Sequence, residues 1–274
     1  MPGFGGMTAV HLAKKLDRCD SIRIMVGGLP QVRTGVFEYK APFSPIDVIE
    51  EYTRPARMRI GGKEVVKQAL SEIEYVEIYD VGTLQAFNTD GLRTLLTTLP
   101  NIPNLVEKTL RYPGHAEKIA MLRDIGLLSN KPVTISTAEG ADIEITPLEL
   151  TSKLLIKKWK LLPGDKELTA MRVEACGVYE GGEAKFEMDL LDRTDEDTWD
   201  NSMARTTGLP AVAAVRMLAD GAIAATSAFE PRGVIPAELI GRDDALFERM
   251  THSLIDAQVD ILFGHHTTDV LIHT

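Results

Sequence analysis

The sequence is poor in cysteine and contains no long apolar run. Its two cysteines, Cys19 and Cys176, lie far apart without a CxxC pattern, which predicts free thiols in a reducing compartment. No apolar segment approaches the ~18 residues of a membrane-spanning helix. The first residues also lack the basic and apolar regions of a signal peptide. These absences predict a soluble, cytoplasmic protein with no membrane partner.

An excess of basic residues is absent as well. The chain has 30 Lys and Arg against 40 Asp and Glu, a formal net charge of −10. Because binding to nucleic acid needs a basic surface, this balance excludes nucleic acid as the main partner. The densest basic cluster, Lys157, Lys158 and Lys160, is interpreted as a solvated helix face. A hydrophobic content of 44% is sufficient for a substantial core.

Most familiar catalytic and cofactor motifs are missing. No P-loop, HExxH or Ser/His/Asp order occurs. Gly3 and Gly5 open a predicted helix, where backbone N–H groups can hold a phosphate, but the strand and acidic residue of a dinucleotide fingerprint are not present. The one metal-like group lies near the C-terminus: His265, His266, Asp269 and His273. Adjacent histidines point apart in regular structure, so no metal site is predicted.

Alternating and helical patterns predict an α+β fold. Predicted strands cover 21–26, 57–60, 64–66, 73–79, 84–87, 105–112, 168–179, 184–192 and 259–263. Predicted helices cover 7–16, 46–52, 92–99, 115–123, 147–159, 211–218 and 243–257. The alternation of strands and helices is too irregular for a doubly wound sheet. We therefore predict one mixed, largely antiparallel sheet with helices mainly on one face, and a helix 211–218 buried on most sides.

The segment KTLRYPGH, residues 108–115, concentrates the chemistry of the chain at a predicted strand-to-helix junction. Arg111 suits a substrate carboxylate because its planar guanidinium binds both oxygens at once. His115 or Tyr112 suits proton exchange with an amine, and histidine titrates closer to neutral pH. Both assignments stay open at this point.

Each candidate residue has a simpler structural alternative. Arg111 can pair with Glu107 or Glu117 instead of a substrate. Asp90 can act as the N-cap of the following helix, since aspartate is a favoured cap residue. Gly28, with the glycine before it, is most simply a turn that ends the first strand.

Several short motifs occur in a fixed order along nearly the whole chain: PG at 2–3, IMVGGLP at 24–30, SPIDVIEEYTRPAR at 44–57, FNTDGLR at 87–93, TLRYPGH at 109–115, SMARTTG at 202–208 and GVIPAE at 233–238. In this order they resemble the C-terminal catalytic and substrate domain of the saccharopine dehydrogenase family. The resemblance is strongest to the branch that includes lysine 6-dehydrogenases.

This resemblance implies one α+β domain over residues 1–274 that normally follows a Rossmann domain holding NAD or NADP. That domain is absent from this chain, and residues about 229–258 are expected to pack on it. The resemblance further implies a homodimer and hydride removal from the amine-bearing carbon of lysine or saccharopine, giving 2-aminoadipate 6-semialdehyde. The residues implied as site members are Arg111, Asp90, Gly28 and Arg205 for the substrate, His115 or Tyr112 for protons, and Gly3 and Gly5 for the cofactor.

One position departs from the saccharopine-forming pattern. Members similar to the fungal enzymes carry an arginine where this chain, aligned through Tyr39 and Lys40, has Ile46. Saccharopine has an additional glutamate carboxylate to hold, so the departure favours a smaller substrate such as lysine. The alternative function is a non-catalytic amino-acid-binding or oligomerisation module with a degenerate site.

Overall fold

The computed structural model describes residues 3–42, 44–138, 140–230 and 232–267. Its helices are α1 (Phe4–Lys15), α2 (Pro45–Thr53), α3 (Leu95–Thr98), α4 (His115–Asp124), α5 (Pro147–Trp159), α6 (Ser202–Ala219), α7 (Ala222–Ala225) and α8 (Asp244–Ile255), with a 3₁₀ turn at Ala237–Arg242. Its strands are β1 (Arg18–Pro30), β2 (Ala56–Ile60), β3 (Lys63–Lys67), β4 (Glu74–Ile78), β5 (Gly82–Asn88), β6 (Asn104–Arg111), β7 (Val133–Ser136), β8 (Asp142–Ile145), β9 (Glu167–Tyr179), β10 (Gly182–Arg193) and β11 (Asp260–Thr267). Pro2, Pro231, Asp269 and His273 lie outside the described residues.

Nine of these strands form one sheet. The order is β11-β10-β9-β1-β6-β2-β3, and β5 also pairs with β6 and carries β4 on its other edge. The central pair β1–β6 is parallel, and the other pairs of this sheet in the described ranges are antiparallel. Strands β7 and β8 form a separate hairpin. The predicted mixed, largely antiparallel sheet is confirmed.

The two faces of the sheet differ sharply in chemistry. Alternate residues of the central strands, such as Ile22, Ile24 and Val173, join the main core beneath α1, α6 and α8. The alternate positions on the opposite face form what we call the charged sheet face: Arg23, Arg172, Glu174, Lys185, Glu187 and Asp189. Helices therefore lie mainly on one face, as predicted.

Local turn and cap signals correctly predicted several elements. The hairpin β2–β3 turns at Gly61 and Gly62, which have φ of 57° and 79° and so use the left-handed freedom of glycine. Helix α2 begins at Pro45 directly after Ser44, as expected for proline in the first helical turn. The hairpin β9–β10 also matches its prediction.

The prediction of a turn at Gly27 and Gly28 is wrong, because both residues lie inside β1. A Cβ atom on Gly27 would stand 2.3 Å from the carbonyl oxygen of Leu110, and one on Gly28 would stand 2.7 Å from Cε of Met203. The two glycines therefore permit close packing against neighbouring elements. A glycine pair in a strand can mark a close approach as well as a turn.

Two helix predictions are also corrected. Helix α3 is short and begins after Thr94, so Asp90 is not its N-cap. Helix α6 is longer than predicted and leaves Val215 and Leu218 63% and 60% exposed, so it is not buried on most sides. Apolar residues on several sides of a helix indicate burial only when packing partners exist on all of them.

The structure was also searched for membrane-spanning helices and metal ligands within the described ranges. No helix within them combines the length and apolarity needed to cross a bilayer, and no three His, Cys, Asp or Glu side chains there are grouped for a metal ion. His265 stacks on Phe186 with ring centroids 4.1 Å apart, whereas His266 contacts Glu187 at 3.2 Å. Cys19 and Cys176 are free thiols.

Candidate functional site

Strand β6 sorts the predicted site residues onto two faces of the sheet. Residues two apart on a strand point to the same side. Arg111 therefore shares the helix-covered face with Glu107 and Thr109, whereas Tyr112 packs with Leu110 in a separate core cluster on the opposite face. Arg111 and Tyr112 are neighbours in sequence and were predicted to share one site. The pleat of the strand instead places their side chains on opposite faces of the sheet.

A cleft of about 310 Å³ lies on the helix-covered side of β6. Helix α2, the loop after β5 and β6 form its walls. Its lining residues are Asp47, Glu50, Glu51, Arg54, Thr89, Asp90, Gly91, Arg93, Glu107 and Thr109. Most of these side chains are charged or hydroxylated, so the cleft suits a small polar ligand.

Arg111 is buried under one wall of the cleft and uses its hydrogen-bond donors within the protein. Its Nη2 contacts Oε2 of Glu51 at 2.8 Å, its Nη1 donates to the carbonyl of Leu110 at 2.8 Å, and its Nε donates to the hydroxyl of Tyr52 at 3.2 Å. The guanidinium also lies 4.6 Å from the ring centroid of Tyr39. Arg111 thus forms an internal ion pair, as the structural alternative predicted. Its partner is Glu51, and not Glu107 or Glu117.

A hydrogen-bonded chain connects Arg111 to His115. The hydroxyl of Tyr52 donates to Nε2 of His115 at 2.9 Å, and Nδ1 of His115 donates to the carbonyl of Phe37 at 3.0 Å. A carbonyl can only accept, so the proton of the neutral ring belongs on Nδ1. Burial and the nearby charge of Arg111 lower the pKa of His115 to about 3. His115 is therefore neutral at physiological pH.

Tyr112 has a different environment. Its hydroxyl donates to the carbonyl of Pro30 at 2.8 Å, and the guanidinium of Arg33 lies 4.6 Å from its ring centroid. Tyr112 is 6% exposed and does not line the cleft. Of the two predicted proton carriers, His115 is the one connected by hydrogen bonds to the arginine beside the cleft.

Glu107 also lines the cleft, whereas the sequence suggested it only as an ion-pair partner of Arg111. Thr89 donates to its Oε2 at 2.6 Å, and Thr89 also hydrogen-bonds with Thr109 at 2.8 Å. Burial, with a smaller contribution from the charge of Glu51, raises the pKa of Glu107 to about 8. The spacing Glu-x-Thr-x-Arg was the available signal, since it places Glu107 on the same strand face as Arg111.

Asp90 lines the cleft as well. Its carboxylate accepts from Nε and Nη2 of Arg57 at 2.9 and 3.0 Å, and from the Arg57 backbone N–H at 3.2 Å. Burial alone would raise the pKa of the Asp90 carboxyl, but its bonds to Arg57 outweigh burial and lower that pKa. Asp90 is therefore an ionised carboxylate with a counter-ion of its own.

The remaining predicted site residues lie away from this cleft. Arg205 contacts Asp192 at 3.2 Å and Asp195 at 3.1 Å, in a network near the end of β10. Gly28 packs inside β1, as described above. Gly3 caps α1 with a φ of 89°, and a Cβ on Gly5 would stand 3.1 Å from Sδ of Met171. Gly5 thus allows α1 to pack closely against the sheet.

Comparison with known proteins identifies the class to which this fold belongs. The saccharopine dehydrogenase C-terminal domain family matches residues 1–256. The chain belongs to this family. A curated relative, bovine (Bos taurus) mitochondrial alpha-aminoadipic semialdehyde synthase, is 24% identical in an alignment 298 positions long that covers 84% of this chain. The match covers 32% of the bovine protein, so the chain spans about a third of that relative.

Two solved structures share the fold. Saccharopine dehydrogenase (L-Glu forming) from Saccharomyces cerevisiae matches with a TM-score of 0.72 at 17% identity, covering 97% of this chain and 72% of the yeast chain. Homospermidine synthase from Legionella pneumophila, solved in complex with NAD, matches with a TM-score of 0.57 at 10% identity, covering 98% and 57% of the two chains. The predicted relationship to the saccharopine dehydrogenase family is confirmed.

Proposed function

We propose that this chain is the substrate-binding and dimerisation domain of an NAD(P)-dependent oxidoreductase that acts on the amine of lysine or saccharopine. The observation that carries the proposal is the composition of the cleft. Residues 44–57, 87–93 and 109–115 are three separate family-like motifs, and each contributes lining residues to this one cleft. Motifs far apart in sequence converge in this way when they build a common binding site.

In this proposal Arg111 is a positioning residue. Its buried guanidinium orients the Glu51 carboxylate toward the cleft. A direct bond between Arg111 and a substrate carboxylate requires that carboxylate to take the place of Glu51, because Nη2 already contacts Glu51 and Nε and Nη1 bond elsewhere in the protein. The family role of carboxylate anchor is therefore proposed for Arg111 only with displacement of Glu51.

The neutral His115 and the hydroxyl of Tyr52 supply the proposed proton route. A neutral imidazole that accepts from Tyr52 can take a proton that arrives along this chain. Tyr112 remains a candidate from the family resemblance, but its bond to Pro30 gives it no comparable connection to the cleft. Gly28 and Arg205 likewise stay as candidates that the resemblance alone supports.

The cofactor is proposed to be NAD or NADP, held mainly by a Rossmann domain outside this chain. When bound, the nicotinamide supplies an acceptor for the hydride that leaves the amine-bearing carbon. In this chain Gly5 packs closely against the sheet, so of the two predicted glycine contacts only Gly3, at the start of α1, is kept as a proposed neighbour of the cofactor. The homodimer is likewise a proposal, and light scattering of the purified chain tests it.

The test uses the complete polypeptide that the gene encodes. Lysine and saccharopine are each offered with NAD⁺ and NADP⁺, and formation of the reduced cofactor is followed by its absorbance. Arg111→Ala is expected to lower kcat/KM on the order of 100-fold, because a small misplacement of a positioned group costs about that factor. Arg172→Ala, on the charged sheet face, is the matched control and retains kcat/KM. Unchanged kcat/KM in Arg111→Ala contradicts the positioning role.

The alternative is a non-catalytic amino-acid-binding or oligomerisation module with a degenerate site. It predicts that the complete polypeptide binds an amino acid but reduces neither cofactor with either substrate. An in-frame Rossmann segment with a GxGxxG motif upstream of residue 1 in the encoding DNA favours the enzyme, and its absence favours the module.

A further inference from the structure

Glu107 is a buried carboxylate of the cleft that has no Lys, Arg or His partner among the described residues. Its side chain is 7% exposed, so it is more than nine-tenths buried, yet it lines the cleft. Its Oε2 accepts from Thr89, and no Lys, Arg or His nitrogen in the described ranges lies within 4.0 Å of its carboxylate. A buried carboxylate without a cation is costly, which calls for a reason for its presence.

The local backbone is adapted to this carboxylate. Gly91, in the loop after β5, faces the Glu107 carboxyl group so closely that a Cβ atom on it would stand 2.3 Å from Cδ of Glu107. The backbone of Gly91 has no positive φ, so glycine is not required there for its conformation. It is required for space. Gly91 and Thr89 together hold the Glu107 carboxyl group in one position at the wall of the cleft.

The other buried or half-buried carboxylates nearby are neutralised within the protein. Glu51 pairs with Arg111 at 2.8 Å, and Asp90 pairs with Arg57 at 2.9 Å. Glu50 pairs with Arg54, and both side chains are exposed at the cleft. The charged groups that share the cleft with Glu107 are Asp47, Glu50, Glu51 and Arg54 from α2, and Asp90 and Arg93 from the loop after β5. Asp47 also has no cation partner among the described residues, but it is exposed to water. Glu107 is therefore the buried carboxylate of the cleft without a paired cation.

Resting on the function proposed above, we propose that Glu107 binds the primary ammonium group of the substrate, so that the cleft selects an amine with no carboxylate on the neighbouring carbon. The side-chain amine of lysine has this form. The amine of saccharopine that would be oxidised carries a glutamate carboxylate beside it, which would meet Glu107 and Glu51 with like charge. Ammonium binding also gives the buried carboxylate of this cleft a cation partner.

The inference has a thermodynamic signature. Glu107, with a pKa near 8, is largely protonated at pH 7 in the free protein. An ammonium group placed beside it favours the ionised carboxylate and lowers its pKa. Binding at pH 7 therefore releases a proton from Glu107 to the buffer, because the ligand amine keeps its own proton.

The first test compares two ligands on the purified 274-residue chain by titration calorimetry. Lysine and norleucine differ in the side-chain amine. The wild-type chain is expected to prefer lysine by about tenfold or more, as for a hydrogen bond between charged groups. Glu107→Gln keeps the shape of the side chain and is expected to lose this preference. Glu174→Gln, a nearly buried glutamate of the charged sheet face, is the control and keeps it.

The outcomes separate this inference from the proposed function. Equal binding of lysine and norleucine to the wild-type chain, or tighter binding of saccharopine than of lysine, overturns the role of Glu107 but leaves amino-acid binding intact. If none of the three ligands binds, both the substrate cleft and the role of Glu107 are wrong. Circular dichroism checks that Glu107→Gln is folded.

A second measurement needs no variant. Lysine binding to the wild-type chain at pH 7 is followed in two buffers with different ionisation enthalpies. The expected result is release of up to about one proton for each lysine bound, since one group changes its protonation state. Binding without proton release contradicts the inference even if every variant fails to fold.

Discussion

The cleft and the charged sheet face both contain charged side chains that are partly or fully removed from water. The two regions differ in how completely these charges are paired with opposite charges. On the sheet face each charged residue meets an opposite charge: Arg172 lies 2.5 Å from Asp189 on the neighbouring strand, and Lys185 lies 2.7 Å from Glu187 on the same strand. In the cleft, Arg111 and Glu51 are paired in the same way, but Glu107 is not. A buried charge without a partner is costly, so we take the unpaired member as the place for a cationic ligand.

The largest expected difference concerns Arg111, which is buried, and Arg172, which is half-buried. The Arg111 side chain is 2% exposed and bonds to Glu51, Tyr52 and the carbonyl of Leu110. Because Arg111→Met leaves these groups without their partner, we expect it to lower the free energy of unfolding by roughly 3–5 kcal/mol. Arg172→Met breaks a pair in which both side chains retain some contact with water, and should cost roughly 1–2 kcal/mol. Urea unfolding of both variants measures the difference. An equal loss of unfolding free energy in the two variants would show that the burial of Arg111 adds nothing to the strength of its pair.

The second prediction uses pH to separate Glu107 from Glu187. The pKa of Glu107 is raised by burial, so its contribution to stability is complete below the unfolded value near 4.5 and is lost as pH rises toward 8. For Glu187, burial alone would raise the pKa, but Lys185 and His266 outweigh it and lower the value. The Glu187 contribution is therefore present above 4.5 and lost only as pH falls below that value.

Between pH 5 and 8, Glu107→Gln should therefore gain stability relative to the wild-type chain, by up to about 4 kcal/mol, since each pKa unit corresponds to 1.36 kcal/mol. Glu187→Gln should show a constant difference from the wild-type chain over the same range. Melting temperatures of the three proteins at intervals of pH measure both trends. A constant difference for Glu107→Gln would mean that Glu107 is ionised in the free protein.

The smallest expected difference concerns two glycines that each face a glutamate. A Cβ on Gly91 would stand 2.3 Å from Glu107, and a Cβ on Gly264 would stand 2.9 Å from Cγ of Glu187. Because Glu107 is enclosed, Gly91→Ala should cost roughly 1–3 kcal/mol through overpacking. Glu187 has space to turn toward solvent, so Gly264→Ala should cost less than 1 kcal/mol by the same principle.

The double variant Gly91→Ala/Glu107→Ala checks the cause of that cost. Removal of the carboxyl group vacates the space that the alanine methyl group needs, so the penalty of Gly91→Ala should largely disappear in the Glu107→Ala background. A penalty that persists there would assign the role of Gly91 to the loop backbone instead of the glutamate.

Much of the fold was predictable because its signals are local. Alternation predicted β9 and β10, the Gly61-Gly62 pair predicted a hairpin turn, and Pro45 predicted the start of α2. The errors occurred where a distant partner decides the outcome. Gly27 resembles a turn until Leu110 is seen beside it, and the exposure of Leu218 on α6 depends on which elements pack against that helix.

The sequence by itself determined the family and the class of fold, because ordered motifs and short-range periodicity carry that information; the roles of Arg111 and His115 stay predictions. Only the tertiary structure decided which charges meet. The pairing of Arg111 with Glu51 and the link from Tyr52 to His115 depend on where α2 lies relative to the end of β6, and the separation of Tyr112 depends on the pleat of the strand. Glu107 stands unpaired for the same reason, since electrostatic contacts form in space and not along the chain.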